Sequence, residues 1–382
     1  MRGKRIFILG STGSIGINTL KVIACFPKDF SVVGLTAYNN VKLLEEQIRY
    51  FKPKYVAINK EHIPYFQKKL NAKKFRIFDV ENELDSIFKE TCVDVVVIAT
   101  RGSVALKPFL SAIRCGKTVA PANKEALVIA GDIIMAEARR YNANIIPIDS
   151  EQSAIFQCLN GSNRCELKKV YLTASGGRLF KTPKEKFDRL SRKEILKHPR
   201  WKMGKKITVD SATLMNKGFE VIEARHLFSL NVNQIEVVIH PQAVIHSMVE
   251  FIDGSVMAQM GIADMRIPIQ YALTYPKRWG SPLKPINFFQ LKNLTFLKPD
   301  YNKFPSLALA IQVAQEGGTL PSVLNAADEE AVESFLKGEI IFTKIYETVE
   351  RVVRKHRTIA NPSLKEILEA DQWAREEAKR IN

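Results

Sequence analysis

Over its first 149 residues the chain alternates between short apolar runs and amphipathic stretches, and this alternation restricts the fold more than any other feature of the sequence. Each apolar run is followed by a turn and a stretch with helical spacing; the runs are residues 5–9, 31–36, 55–58, 93–99 and 118–120. Such alternation is typical of β-α-β units, whose right-handed crossovers build a doubly wound parallel sheet. The pattern predicts an α/β protein with a Rossmann-like N-terminal domain, residues 1–149.

Beyond Ser150 the pattern changes. Strand-like runs at 169–173, 207–209 and 235–239 are mixed with a hairpin, in which Asp253-Gly254 is expected to form a two-residue turn of the primed type. This indicates a central α+β domain, residues 150–275, with one largely antiparallel sheet. Prolines are frequent in 276–305, which predicts a connector, and helical spacing in 306–382 predicts a bundle of four helices.

Composition excludes several classes of protein. A chain of 382 residues with 46% hydrophobic and 25% charged residues is typical of a globular protein with more than one domain. The net charge of +17 is spread along the chain and alternates with acids, which favours attraction of small anions over nucleic-acid binding. No apolar run reaches the roughly 20 residues that span a bilayer. Scattered cysteines, and an apolar run too short for a signal peptide, predict a cytoplasmic protein.

A glycine-rich turn, Gly10-Ser11-Thr12-Gly13-Ser14-Ile15-Gly16, lies between the first predicted strand and helix. Its glycines allow close backbone approach, and a helix N-terminus offers free N–H groups to a pyrophosphate. The spacing favours a dinucleotide site, although a β-α turn without ligand is the alternative. The second strand ends in Tyr38-Asn39-Asn40 with no carboxylate to hold a ribose diol, which favours NADPH over NADH, although no arginine follows.

Asp149, Glu151 and, further along, Glu220 are candidate oxygen ligands for Mg²⁺ or Mn²⁺. Neither cysteines nor paired histidines lie nearby, which argues against zinc. The alternative for Asp149 is a helix cap, with Gln152 reaching back.

Lys124 and Lys217 each follow an asparagine in the first turn of a predicted helix, where a cation opposes the helix dipole. A substrate anion above each turn would explain them, and a solvated surface lysine is the alternative. The loop from His198 to Gly204 contains Trp201 and Met203. It is a candidate for a lid that excludes water; the alternative is a loop whose Trp201 packs on the core. His240 and His246 are more simply structural than catalytic.

These segments together resemble the 1-deoxy-D-xylulose 5-phosphate reductoisomerase family over nearly the whole chain. The matching sequence segments are GSTGSIG (10–16), ANKEALV (122–128), PIDSEQSAIFQ (147–157), ASGG (174–177), HPRWKMGKKITVDSATLMNKGFEVIEA (198–224), IHPQAVIHSMVEFIDGSV (239–256) and DMRIPIQYAL (264–273). The resemblance implies an NADPH domain, a catalytic domain carrying the contact of a homodimer, and a C-terminal helical bundle.

The resemblance also implies roles for individual residues. It implies that Asp149, Glu151 and Glu220 bind the metal, and that Lys124, Glu151, His198 and His246 act in catalysis. The substrate would be a phosphosugar. Its phosphate would be held by Ser175, Ser211, Asn216 and Lys217, with His198 nearby, and its oxygen-bearing end would contact Lys124 and Ser150. Trp201 and Met203 would contact it as part of the flap. NADPH would contact Gly10, Ser11, Thr12, Gly13, Ser14, Ile15, Tyr38, Asn39, Asn40, Asn123, Glu125 and Gly204.

Two segments depart from the family pattern: Tyr38-Asn39-Asn40 replaces a glycine-plus-basic sequence, and residues 99–103 replace a turn of small residues. The implied reaction is rearrangement of a ketose phosphate followed by hydride transfer, with retro-aldol/aldol and ketol-shift routes both open. Rival functions are an ordinary NAD(P)-linked dehydrogenase, without a metal requirement, and a non-catalytic nucleotide-sensing or nucleic-acid-binding protein.

Overall fold

The computed structural model describes residues 3–70, 75–80, 83–90, 93–100, 102–197 and 204–381. The chain divides into two compact units. The first unit comprises residues 1–126, 133–153 and 264–284, and the second comprises residues 127–132, 154–263 and 285–382. The further division into three domains and a connector stays a prediction.

Ten strands and sixteen α-helices are assigned within the described ranges, together with short 3-10 helices. The strands are β1 (Lys4–Leu9), β2 (Phe30–Thr36), β3 (Tyr55–Ile58), β4 (Arg76–Asp79), β5 (Val95–Ile98), β6 (Thr118–Pro121), β7 (Leu167–Ala174), β8 (Ile235–Ile239), β9 (Ile245–Phe251) and β10 (Val256–Met260). The helices are α1 (Ser14–Cys25), α2 (Val41–Phe51), α3 (Ile63–Lys69), α4 (Leu84–Glu90), α5 (Leu106–Arg114), α6 (Glu125–Arg140), α7 (Ser150–Cys158), α8 (Arg192–Ile195), α9 (Lys205–Thr213), α10 (Met215–Phe228), α11 (Arg266–Thr274), α12 (Phe288–Leu291), α13 (Pro305–Glu316), α14 (Leu320–Lys337), α15 (Phe342–Lys355) and α16 (Leu364–Ile381).

The first unit contains a parallel sheet with strand order β4-β3-β2-β1-β5-β6. All of β5 and the last four residues of β1 are buried, as expected for strands covered on both faces. The strand order reverses at β1, with β2 on one side and β5 on the other. The turns after β1 and β5 therefore meet at the crevice where open α/β sheets bind their ligands. The predicted doubly wound fold is confirmed.

The second unit contains a sheet with strand order β10-β9-β7-β8 and most of the helices. Helix α10 is buried almost all round, which is the pattern of a central helix. Gly218 of α10 lies so close to α13 that an added Cβ would be 2.3 Å from the Cβ of Ala310. Four helices, α13 to α16, lie in the C-terminal segment where helical spacing was observed.

Four details of the sequence-based prediction are corrected or completed. Residues 207–209 lie in helix α9 and form no strand, because a short apolar run does not distinguish a strand from a buried helical segment. The second sheet is mixed, since β7 pairs with β8 in parallel. The strand β4 was not predicted; it lies at the edge of its sheet and has little apolar sequence.

The turn between β9 and β10 also differs from the predicted two-residue turn. Phe251 N–H donates to the carbonyl of Ser255, so residues 252–254 form a three-residue loop. Gly254 has a φ of +85°, whereas Asp253 is not among the described residues with positive φ. A primed turn with positive φ at both positions is excluded, and the loop fits the three-residue class with glycine in the left-handed conformation.

None of the described helices combines the length and the apolar character needed to cross a bilayer.

Candidate active site

The glycine turn after β1 has the steric properties of a phosphate loop. A Cβ on Gly16 would lie 2.4 Å from the carbonyl oxygen of Gly10, and Gly10 itself has a φ of +78°. A Cβ on Gly13 would come no nearer than 3.4 Å to another atom, so the fold alone does not strictly require a glycine there. Gly13 precedes α1, which has no side-chain cap and no acid in its first turn. The start of α1 is therefore suited to an anion.

Ser11 differs from the other predicted cofactor residues of this turn. Its side chain is fully buried, and its hydroxyl lies 2.7 Å from Oε1 of Gln47 and 3.1 Å from the carbonyl oxygen of Thr36. Gln47 in turn donates to the carbonyl of Ser11. Ser11 thus joins the turn to α2, whereas Ser14 is exposed and Thr12 and Ile15 are half-buried. The cofactor contact of Ser11 stays a prediction that its side-chain position does not support.

The segment after β2, Tyr38-Asn39-Asn40, is exposed. The side chain of Asn40 accepts a hydrogen bond from Leu43 N–H and so caps α2. Tyr38 is 54% exposed although it is aromatic. These residues lie at the carboxyl end of a central strand, where an adenosine ribose binds in dinucleotide folds.

Asn123 fixes the start of α6. Its Nδ2 donates to the carbonyls of Thr100 (2.9 Å) and Gly102 (3.2 Å), and its Oδ1 accepts from Ala126 N–H (2.9 Å). The asparagine therefore links the turn after β5 to the helix whose N-cap is Lys124. Asn123 is buried and Glu125 is half-buried. The hydrogen bonds of Asn123 therefore fix the position of the next residue, Lys124, at the start of α6.

Lys124 is buried, and this excludes the alternative of a solvated surface lysine. Its Nζ lies 2.6 Å from Oδ2 of Asp149, and the two side chains are 8% and 10% exposed. Ser150 Oγ donates to Oε2 of Glu151 at 2.5 Å. The first unit therefore brings together four predicted site residues: Lys124, Asp149, Ser150 and Glu151.

The two acids of this cluster offer carboxylate oxygens that lie within 4.8 Å of each other. Burial raises the pKa of the Asp149 carboxyl above its usual range; the Lys124 ammonium opposes this rise, and the Glu151 carboxylate adds to it. Two carboxylates this close together repel each other, and a further cation beside them stabilises both. Because the donors are carboxylate oxygens, the pair fits Mg²⁺ or Mn²⁺ rather than a metal that prefers sulfur or imidazole.

The capping alternative for Asp149 is compatible with this arrangement. Asp149 directly precedes α7, and its carbonyl accepts from Ser153 N–H at 2.8 Å, as the carbonyl of a cap residue does. Its carboxylate also bonds Lys124, so its position before the helix does not exclude a role as a metal ligand.

In the second unit, a double glycine brings two predicted phosphate residues together. Ser175 directly follows β7, and its Oγ accepts from Gly177 N–H at 3.3 Å. Gly177 has a φ of +67°, and an added Cβ would lie 2.2 Å from the carbonyl oxygen of Ser211 in α9. The turn after β7 can therefore pack directly on α9 because residue 177 is a glycine.

The junction of α9 and α10 contains the other predicted phosphate residues. Leu214, between the two helices, has a φ of +61°, which is unusual for a residue with a side chain. Asn216 Nδ2 donates to Oε1 of Glu220 at 2.6 Å, and Lys217 Nζ donates to Oε2 of Glu220. Lys217 and Glu220 are 3% and 1% exposed, so Lys217 is not a solvated surface lysine either.

The two histidines have different surroundings. His240 is fully buried; its Nδ1 lies 2.9 Å from the carbonyl of Thr295, and its Nε2 accepts from Val244 N–H at 3.4 Å. It also stacks on Phe296, so the expectation of a structural histidine is confirmed. His246 is 7% exposed on β9, and its ring lies against Gly261. Its catalytic role stays a prediction.

His198, Trp201 and Met203 lie outside the described residues, so their predicted roles stay predictions. Gly204 is the N-cap of α9.

Two structural contributors were not found from the sequence. The first is Gly177; the pair Gly176-Gly177 shortly after a predicted strand could have indicated a tight turn with a close backbone contact. The second is the contact of Asn216 and Lys217 with Glu220. Their i,i+4 and i,i+3 spacing on one predicted helix could have indicated that these side chains meet.

Comparison with known protein families gives matches along most of the chain. A model described as 1-deoxy-D-xylulose 5-phosphate reductoisomerase matches residues 6–131. The C-terminal domain of that enzyme matches residues 145–228, and a model described as DXP reductoisomerase C-terminal domain matches residues 260–377.

Relatives named 1-deoxy-D-xylulose 5-phosphate reductoisomerase cover nearly the full length. The chain is 49% identical to one from Desulforamulus reducens over 99% of this chain and 98% of the relative. It is 50% identical to one from Pelotomaculum thermopropionicum over 97% of each.

Solved structures agree with this result. A crystal structure of DOX-P reductoisomerase in complex with NADPH, fosmidomycin and magnesium superposes with a TM-score of 0.94, at 38% identity, over 99% of this chain and 98% of that one. The reductoisomerase from Zymomonas mobilis in complex with NADPH superposes with a TM-score of 0.93, also at 38% identity, over 99% of both chains.

Proposed function

Because this chain belongs to the 1-deoxy-D-xylulose 5-phosphate reductoisomerase family, we propose that it converts 1-deoxy-D-xylulose 5-phosphate to 2-C-methyl-D-erythritol 4-phosphate. The reaction rearranges the carbon skeleton and then reduces the resulting aldehyde with NADPH, as a step of non-mevalonate isoprenoid biosynthesis. The observation that carries the proposal is the buried cluster of Lys124, Asp149 and Glu151. The rival function, an ordinary NAD(P)-linked dehydrogenase, predicts neither a metal requirement nor a rearranged carbon skeleton.

The proposed cofactors are NADPH and one divalent cation, Mg²⁺ or Mn²⁺. Solved relatives that superpose on this chain contain NADPH and magnesium. We propose that Asp149 and Glu151 of the first unit and Glu220 of the second supply the cation's carboxylate ligands. When bound, the cation supplies Lewis-acid stabilisation to substrate oxygens, and NADPH supplies the reducing equivalent.

The chain's own residues orient the substrate and balance its charge. Lys124 holds a positive charge in a buried site, where it stabilises the oxygen anion that develops during rearrangement. Ser150 fixes the Glu151 carboxylate through its 2.5 Å hydrogen bond. Ser175, Ser211, Asn216 and Lys217 bind the phosphate, so that binding energy from the unreactive end of the substrate orients the reactive end.

The remaining predicted roles complete the proposal. The glycine turn, the segment 38–40, Asn123, Glu125 and Gly204 bind NADPH. His198 contacts the phosphate end, Trp201 and Met203 belong to a lid that excludes water, and His246 positions the substrate. The cytoplasmic location stays a prediction from the sequence.

The activity is tested by loss of NADPH absorbance with deoxyxylulose phosphate, with and without Mg²⁺ or Mn²⁺. We expect turnover only with the metal, and at least a hundredfold loss of kcat in Glu151→Gln with NADPH affinity unchanged. The matched control is Glu61→Gln, which alters an exposed acid of the first unit. Metal-independent turnover, or near-normal kcat in Glu151→Gln, would contradict the proposal.

We also propose that the protein is a homodimer whose contact lies in the second unit. The edge strand β10 exposes Val256 (53%) and Met257 (48%), and helix α12 exposes Phe288 (63%) and Phe289 (96%). An exposed apolar edge strand and exposed aromatic residues are typical of a surface covered by a partner. Light scattering should give a dimer for the parent and a monomer for Met257→Asp/Phe289→Asp. The control Tyr50→Asp, at a 71% exposed aromatic residue of the first unit, should remain dimeric.

A further inference from the structure

The carboxylate of Glu220 is bonded on both oxygens by side chains one helical turn before it. Asn216 Nδ2 donates to Oε1 at 2.6 Å, and Lys217 Nζ donates to Oε2. Glu220 and Lys217 are almost fully buried, so bulk water does not weaken these bonds. The three side chains form a charge-assisted network on one face of α10.

This network joins two sites that the proposed function treats separately. Asn216 and Lys217 are the proposed donors to the substrate phosphate, and Glu220 is a proposed cation ligand. An ammonium bonded to a carboxylate has less positive potential to offer a phosphate. A carboxylate whose oxygens both accept hydrogen bonds is a weaker ligand for a cation. Either ligand therefore competes with the internal contact.

We propose that the contact of Asn216 and Lys217 with Glu220 couples phosphate binding to cation binding; this inference rests on the proposed function. A phosphate that accepts the hydrogen bonds of Asn216 and Lys217 leaves the oxygens of Glu220 available to the cation. Conversely, a cation that attracts Glu220 leaves the two donors available to the phosphate. Because binding free energies are linked, each ligand tightens the other by the same factor.

The fold allows this exchange without a movement of the backbone. The three residues lie within two turns of one buried helix, at i,i+3 and i,i+4 spacing, so rotation of side chains is sufficient. The consequence is a preference for phosphorylated substrates. A sugar without a phosphate leaves Glu220 bonded to its neighbours, so its turnover falls through kcat as well as through KM.

The coupling is measured as Mn²⁺ affinity with and without saturating inorganic phosphate. The paramagnetic resonance signal of the free ion counts unbound Mn²⁺ directly, so complex formation between Mn²⁺ and phosphate in solution is corrected for with protein-free samples. We expect phosphate to tighten Mn²⁺ binding by about fivefold or more. No change in affinity, when each ligand binds separately, would overturn the inference and leave the proposed function intact.

Simple attraction between a cation and an anion also gives positive coupling, so a neutral substitution is needed to identify the contact as its cause. Asn216→Ala removes a hydrogen bond from Glu220 and changes no charge. We expect it to tighten Mn²⁺ binding about threefold or more in the absence of phosphate, and to reduce the coupling factor. Unchanged Mn²⁺ affinity in Asn216→Ala would overturn the inference.

The matched control is Asn302→Ala, at an exposed asparagine of the second unit. Its Mn²⁺ affinity and coupling factor should equal those of the parent. A failure of the proposed function itself has a different signature. In that case the parent would bind no Mn²⁺, or Asp149→Asn and Glu220→Gln would bind it as tightly as the parent.

Discussion

The buried ion cluster around Lys206 gives a sharp test of how the second unit is held together. Lys206 Nζ lies 2.7 Å from Oδ2 of Asp210 and 2.8 Å from Oδ2 of Asp328. It also lies 4.7 Å from the ring centroid of Phe219 in α10. The lysine thus links α9, which carries Ser211, with α10 and α14. The substitution Lys206→Met keeps most of the side-chain volume and removes the charge.

The expected cost follows from burial. The side chain of Asp210 is 3% exposed and that of Asp328 is 0% exposed, whereas Lys206 is 23% exposed. Breaking a buried ion pair by removing one partner costs about 3–5 kcal/mol, and because Lys206 is partly exposed the expected loss is about 3 kcal/mol. Burial raises the pKa of Asp328, and Lys206 opposes that rise. Without Lys206 the pKa of Asp328 in the folded chain rises further, and a carboxyl whose pKa is raised by folding lowers the free energy of unfolding as pH rises above its usual range. The stability deficit of the variant should therefore grow as pH rises above the usual range of an aspartate carboxyl.

Urea unfolding followed by circular dichroism measures this loss. The control is Lys205→Met, the preceding residue of the same helix, which is exposed and should change the free energy of unfolding by less than about 0.5 kcal/mol. The triple variant Lys206→Met/Asp210→Asn/Asp328→Asn removes the uncompensated charges and should recover most of the loss. Equal stability of Lys206→Met and Lys205→Met would show that the ion cluster does not stabilise the second unit.

Three further predictions concern the phosphate site, the cofactor site and pH. Gly177→Ala places a Cβ 2.2 Å from the carbonyl of Ser211, so KM for the substrate should rise at least tenfold with NADPH affinity unchanged. Gly161→Ala, with φ +87° and no atom within 4 Å, should leave KM unchanged, and equal KM values for both variants would contradict the account. Asn39→Arg adds a cation for a 2′-phosphate and should raise the kcat/KM preference for NADPH over NADH about tenfold; an unchanged ratio would exclude that position. Burial lowers the pKa of His356, so stability is lost as pH falls from about 6.5 through the folded pKa. His356→Gln should flatten this part of the urea-midpoint profile, and an unaltered profile would contradict the assignment.

The first sheet was predictable because its central strands are buried on both faces, and their sequences are therefore continuous apolar runs. The strand β4 was not predictable in this way, because it lies at the edge of the sheet and an edge strand needs few apolar residues. Residues 207–209 were misread as a strand because β-branched residues fill a buried helical position in α9. In these cases tertiary burial, rather than local propensity, decided the structure.

The candidate site was predictable to a similar degree. The spacing of Asp149 and Glu151 after an apolar run indicated paired oxygen ligands from the sequence alone. The contact of Asp149 with Lys124 was not visible locally, since the two residues are 25 positions apart in the sequence and the fold brings them together. The identification of Ser175, Ser211 and His246 depended on the family resemblance. The burial of Ser11 against Gln47 could not be foreseen, because a glycine-rich turn does not indicate which side chains face its helix.

We propose that Asp149, Glu151 and Glu220 bind a single divalent cation. Anomalous scattering from crystals soaked in Mn²⁺, in the presence of inorganic phosphate, locates such a cation relative to its ligands. We expect one peak within about 2.5 Å of a carboxylate oxygen from each of the three residues. Absence of a peak, or a peak on Asp149 and Glu151 that Glu220 does not reach, would contradict it.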